Sequence, residues 1–479
     1  MKRFINSASY YAWYLLVLLL PISSMPIVAK ILGSSSVASP SIIFLGILVI
    51  IWFIPKLFSG IVFPKDVIPF LFFILCAIAS TLLSWWLNIP PYKGIAIIKT
   101  NIQAVFTLAI GAGFYIISST FVKDEAALRT TYKLINWSGL VMLAWGAMQA
   151  ISWFGYNRYP AWMFDLQGII SSRVLYRQRI NAFAIEPSWW AHMLNVVYIP
   201  IWLASTVKKI SYHSFRIGIL TFENILLVGS VIGLILTFSR VGLLGFLFMI
   251  TFLLLGLHRP ITGKIKSHIK KITKENNENA EKILVPLIIF TVYGLIISMG
   301  IVFLYRVDPR MAEMFDFSIG ADNPFLRYFN SLRFGERAVY WLVGWEVFGQ
   351  YPIMGVGLGN VGYYFPNNIT PYGWTLIEVR KLIYRTSGLL NTKSLWMRLL
   401  AETGIVGFAA FVIWLLVLFF TFFEKVRSKN LTISSSALAG ILIICALLAE
   451  GFSVDSFALP YVWVGLGLAN RAIHIEPND

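Results

Sequence analysis

Runs of about 20 apolar residues recur along this chain, and that is the length a helix needs to cross a hydrocarbon layer about 30 Å thick. Twelve such runs lie near 11–32, 41–60, 67–88, 97–121, 135–155, 189–207, 217–238, 240–257, 283–305, 404–423, 433–452 and 456–471. Water-soluble cores do not bury so many uninterrupted stretches. With 58% hydrophobic and 13% charged residues, against roughly 45–50% and 25% in soluble domains, the chain is neither disordered nor a soluble enzyme. The expected fold is an all-α polytopic integral membrane protein of about 12 transmembrane helices. Met1-Lys2-Arg3 before the first run resembles a signal-peptide start, but eleven more spans follow and the run is read as the first helix. Cys76 and Cys445 both fall inside apolar runs, which leaves neither a disulfide framework nor a cysteine metal site.

Charge then orients the spans. A net charge of +17 would suggest nucleic acid for a soluble protein, whereas here the question is which side each charge faces. With the N-terminus in the cytoplasm, segment 258–282 is an inner loop carrying Arg259, Lys264, Lys266, Lys270, Lys271, Lys274 and Lys282. Lys208, Lys209, Lys425 and Arg427 fall on the same side, and both termini are cytoplasmic. The inner side then holds 15 Lys and 6 Arg, the outer side 5 Lys and 13 Arg. Topology alone does not exchange one basic residue for the other. Arginine's planar fork matches phosphate oxygens two at a time, so the outer excess points to an anionic ligand there; pairing with outer carboxylates is the plainer account of any single arginine.

No internal repeat is visible. Residues 1–305 carry spans one to nine with an outer loop at 156–188, residues 306–403 form a large, partly helical outer loop between spans nine and ten, and 404–479 carry the last three spans and a cytoplasmic tail. Loops as long as 306–403 are uncommon unless they are functional.

The first outer segment holds Arg173, Arg177 and Arg179, then Glu186-Pro187-Ser188 and His192. Glu186 reads either as an acid at a helix N-terminus or as a general base among arginines. His192, the one outer histidine, reads either as a hydrogen-bonded helix residue or as an alternative base. Thr237-Phe238-Ser239-Arg240-Val241-Gly242 joins two spans with no loop, and a charge so close to hydrocarbon is a functional candidate by default. In the long segment come Arg327, Arg333 and Arg337, then Trp341, Pro352, Gly355, Gly357, Gly359 and Asn360, with Glu402 and Gly404 opening the next span. Apolar residues at helical spacing over 337–349 predict an amphipathic helix on the outer leaflet.

Taken together, Thr237–Gly242, the Arg-x3-Trp-x6-Phe-x3-Pro-x2-Gly-x-Gly-x-Gly-Asn run from Arg337 to Asn360, and Leu400-Ala-Glu-Thr-Gly404 resemble the O-antigen ligase and Wzy-type O-antigen polymerase superfamily over roughly residues 170–470. Glu186-Pro187-Ser188 after Arg179 resembles its polymerase side. The resemblance implies a multi-pass enzyme of the bacterial inner membrane with its active site on the periplasmic face. It also implies metal-independent glycosyl transfer from a polyprenyl-diphosphate donor without a cofactor, and Arg179, Arg240 and Arg337 as phosphate-binding residues, with Arg327 and Arg333 in the same basic set. Trp341, Pro352, Gly355, Gly357 and Glu402 would shape the loop. Ligases of the superfamily carry a histidine about nine residues before the glutamate matching Glu402; here that stretch reads Asn391-Thr392-Lys393-Ser394, and 306–403 contains no histidine.

The expected reaction therefore moves a growing glycan from undecaprenyl diphosphate to the terminal sugar of another lipid-linked repeat unit. Its partners are that lipid-linked oligosaccharide as donor and acceptor, the bilayer, and a chain-length regulator; nucleic acid is not among them. The alternatives are a ligase acting on lipid A core and a lipid-linked glycan flippase, the latter resting on Lys99, Glu223 and Glu450 as buried charges.

Overall fold

A computed structural model describes residues 2–33, 37–273 and 335–475, with isolated helical positions between 287 and 305. The described residues are mostly helical, and their only strands are the short pair Arg216–Ile217 and Leu220–Thr221, joined as an antiparallel hairpin. Its helices are α1 (Lys2–Leu18), α2 (Pro26–Leu32), α3 (Ser41–Phe58), α4 (Lys65–Trp86), α5 (Ile97–Thr120), α6 (Glu125–Gly155), α7 (Ala161–Ile170) and α8 (Pro187–Lys208). They continue with α9 (Phe222–Leu236), α10 (Arg240–Thr273), α11 (Gly335–Gln350), α12 (Ile377–Arg385), α13 (Leu395–Lys425), α14 (Leu431–Glu450) and α15 (Pro460–Ile473). Seven of these, α3, α4, α5, α6, α8, α13 and α14, are long and apolar enough to cross a membrane. The expected span at 283–305 and the loop from 306 to 334 lie outside the described residues except for those isolated positions. Residues 1–246 with 339–479 make one compact unit, and 247–338 a second.

Several boundaries differ from the sequence reading for local reasons. The first expected span breaks over residues 19–25, where Pro21 cannot donate to the helix ladder. The sixth helix begins at Glu125 rather than near 135, because Asp124 caps it by accepting from the Ala127 amide at 2.8 Å. Helix α13 begins nine residues before the expected 404, with Ser394 as its cap, and bends at Gly404. Residues 395–403 are therefore helix, not loop.

Of the seven long apolar helices, α8 and α14 are the most enclosed. Phe70, Tyr115, Trp414 and Trp463 pack between α4, α5, α13 and α15 with ring centroids 4.7–5.9 Å apart. Two sets of polar contacts tie helix ends to their neighbours. In one, Thr432 donates to Glu125 at 2.8 Å, Lys208 to the Val426 carbonyl at 2.7 Å and Arg471 to the Lys123 carbonyl at 3.0 Å. In the other, Lys93 donates to the Leu382 and Gly388 carbonyls at 3.0 and 2.9 Å, and residues 351–394 fold over the helix ends around Tyr340, Val356, Tyr363, Phe365 and Val379.

Candidate active site

The turn between α9 and α10 is built by its own hydroxyls. Thr237 donates back to Leu234 at 2.6 Å and accepts from the Ser239 amide at 3.1 Å, while Ser239 accepts from the Gly242 amide at 3.2 Å and so caps α10. Phe238 sits at a φ of +47° to make the reversal. Arg240 is thereby the first residue of a helix, half-buried, immediately after a buried serine.

Onto that turn folds the segment leading to α8. Arg179 donates through Nε to the Thr237 carbonyl at 2.9 Å, and the Ile180 amide reaches the Leu236 carbonyl at 3.0 Å. The segment is fixed from its other side too: Ser23, in the break after α1, accepts from the Ile185 amide at 2.8 Å, and Gln149 of α6 accepts from the Ala182 amide at 2.9 Å. Two arginines more than fifty positions apart in sequence thus meet at one turn. Glu186 stands where this segment enters α8, extended before Pro187 as a residue preceding proline must be. Its side chain makes no cap bond and instead pairs with Arg173 at 3.1 Å. Both partners are substantially exposed, 55% for Arg173 and 37% for Glu186, so the pair contributes at most about 1 kcal/mol and a ligand can displace it.

His192 is a different case. It is buried, and its Nδ1 lies 3.4 Å from Glu450 Oε2, so substrate has no direct approach to it. Of the charges that the flippase reading needs, Glu450 is thus partnered and Glu223 accepts from Asn136, Ser211 and the Tyr212 amide at 2.7–2.9 Å, while Lys99 is exposed rather than buried.

The glycine-rich stretch is a clasp. Val356 and Gly357 donate their amides to the carbonyls of Ala401 and Glu402 at 3.0 and 2.9 Å, just before the bend at Gly404, where Ile405 returns a bond to the Pro352 carbonyl at 2.8 Å. Gly355, Gly357, Gly359 and Gly404 all have positive φ, and a Cβ on Gly355 would lie 2.6 Å from Ala401 O. Ser80 of α4 donates to the Glu402 carbonyl at 2.7 Å, and Asn360 to Ser84 at 3.1 Å. These contacts use the loop's amides internally, which is what a structural loop does and a phosphate cradle does not. Trp341 packs its ring 5.3 Å from Phe452. Glu402, one helical turn after Arg398, pairs with it at 2.9 Å, and Arg398 also donates to the Asp455 carbonyl at 2.7 Å and covers the Phe457 ring. Burial pushes the Asp455 carboxyl above the usual carboxylate range, with Arg398 pulling it back.

Lys393, in the stretch where the resemblance leads one to expect the ligase histidine, pairs with Glu378 at 2.9 Å over the Tyr340 ring. Arg337 lies in the first turn of α11 within the second unit, half-buried; Arg327 and Arg333 lie outside the described residues. The sequence reading missed Asn195, which stands one turn after His192 and donates to both Glu450 and the Gly242 carbonyl. A second polar residue at helical spacing on an apolar helix was the available signal.

Residues 225–412 match the family model described as O-antigen ligase, Wzy_C, which takes in the α9–α10 turn, the glycine clasp and Arg398–Glu402. No curated protein matches the chain.

Proposed function

From the premise that this is a multi-pass membrane protein with an O-antigen ligase domain of the O-antigen ligase and Wzy superfamily, and so a glycan-transferring protein, we propose that it is a polysaccharide polymerase. It transfers a growing glycan from undecaprenyl diphosphate to the terminal sugar of a second lipid-linked repeat unit, in a bacterial inner membrane and at the periplasmic face. The observation that carries this reading is the meeting of Arg179 with the turn that ends in Arg240. Stabilising charge on a departing diphosphate is the demand such a transfer makes, and fixed guanidinium groups meet it without a metal. The resemblance assigns Arg337, with Arg327 and Arg333, to donor binding as well.

Glu186 is the general base. Its carboxylate is uncommitted to the helix cap, partly exposed and held by an ion pair that substrate can open, so it can accept the proton of the attacking hydroxyl. Lys393 favours polymerase over ligase, since a lysine paired with Glu378 stands in the stretch where the resemblance leads one to expect the ligase histidine. The test offers purified protein a defined lipid-diphosphate oligosaccharide together with lipid A core. A ladder of lengthening lipid-linked glycans is expected; glycan appearing only on the core would make the protein a ligase.

A further inference from the structure

Glu450 is the last residue of α14 and 1% exposed, and nothing in the proposed reaction uses it. A buried carboxylate needs hydrogen-bond partners to offset its lost hydration, so its partners carry information. Oε1 accepts from Asn195 Nδ2 at 2.7 Å, and Oε2 faces His192 Nδ1 at 3.4 Å. Where Glu450 is the acceptor in this contact, the ring hydrogen of His192 sits on Nδ1. The second Asn195 amide hydrogen goes to the Gly242 carbonyl at 2.6 Å.

The backbone is shaped for this contact. Residues Leu194–Tyr198 form a wide helical turn just ahead of Pro200, which supplies no amide hydrogen, and Asn195 sits inside it. On the facing helix, a Cβ at Gly242 would lie 2.6 Å from Ala191 Cβ, and one at Gly245 would lie 3.3 Å from Glu450 Oε1 and 3.2 Å from Asn195 Nδ2. Only glycine lets α10 approach this closely. One polar cluster therefore ties three helices, and its members are near neighbours of the reacting groups along the chain: His192 lies six residues after Glu186, and Gly242 two after Arg240.

We propose that Glu450 is a positioning residue: acting through His192 and Asn195, it holds the helix that begins at Glu186 in register with the helix that begins at Arg240. The role given to those two residues rests on the polymerase reading, whereas the latch itself does not. The test uses the full chain in lipid nanodiscs. Glu450→Gln keeps shape but removes the charge and turns one of the two acceptor oxygens into an amide donor, and it is expected to lower kcat by about 100-fold with the donor KM unchanged, the scale on which misplacement of about 1 Å acts. Nitrogen NMR of His192 is expected to show the Nδ1–H tautomer in the wild type and its loss in Glu450→Gln, with faster amide exchange over 187–193 and 240–246. His192→Asn, whose amide can still donate to Glu450, is expected to keep more activity than His192→Leu. An Nε2–H tautomer in the wild type, a wild-type kcat in Glu450→Gln, or equal losses of kcat and donor affinity in every variant would overturn the proposal. A wild type that forms no polymer would instead sink the polymerase reading, while the tautomer and the amide exchange, which need no turnover, would still decide on the latch.

Discussion

Arg240 is held by a turn whose hydroxyls are spent on its own backbone, so its placement depends on Thr237 and Ser239 as much as on its own charge. Lysine there would keep the charge and the helix start but lose the fork. Arg240→Lys is accordingly expected to express and insert as the wild type and to lose most turnover; polymer formation at the wild-type rate would reduce the arginine to an anchor. Glu186→Gln removes basicity and keeps shape, so turnover should fall steeply with donor binding retained. Arg173→Gln breaks the same ion pair from its other side and should cost far less than Glu186→Gln, because an exposed pair holds little energy. Equal losses in the two variants would mark Glu186 as a mere partner of Arg173. The sequence singles out both arginines and the glutamate because a charge beside an apolar run stands out, but not that Arg179 bonds the turn before Arg240. The burial of His192 was not: it depends on Glu450, 258 positions away.

At the level of elements, the clasp between residues 352–360 and α13 shows what spacing alone leaves open. Alternating glycines announce a backbone that needs unusual angles, yet they do not say whether the freed amides face a ligand or another segment. Here Val356 and Gly357 bond Ala401 and Glu402, and the bend at Gly404 completes the fit. Gly404→Ala would force a Cβ against the Ile353 carbonyl at a φ of +62°. It is expected to destabilise the protein by about 2 kcal/mol or more, seen as a lower melting temperature in detergent, with poor expression as the extreme. A wild-type melting temperature would mean that the bend relaxes at no cost. The amphipathic pattern at 337–349 did foretell α11. Its face of Val339, Tyr340, Val343 and Val347 packs into the cap over the helix ends, however, and amphipathicity could not distinguish protein from lipid as the apolar partner.

For the whole molecule, hydropathy made the helical membrane fold readable, and the helices themselves follow the apolar runs closely at α3, α4, α5 and α14. It missed where proline or a cap moves a boundary, as after α1 and before α13, since those depend on single residues that a window of about 20 averages away. The sidedness of the loops rests on the distribution of Lys and Arg along the sequence. From it follows a contrast: Arg337→Ala should weaken donor use, whereas Lys270→Ala, on the expected cytoplasmic side, should leave the chemistry unchanged. Similar losses would show that general charge rather than a sited anion pocket governs binding. The central claim, metal-independent glycosyl transfer from a lipid diphosphate, is tested most directly by counting released undecaprenyl diphosphate against new glycosidic linkages in purified protein treated with chelator. One diphosphate lipid per linkage, undiminished by the chelator and largely abolished in Arg240→Lys, is the expected result; glycan carried across the bilayer with no linkage formed, or linkages that vanish with the chelator, would contradict it.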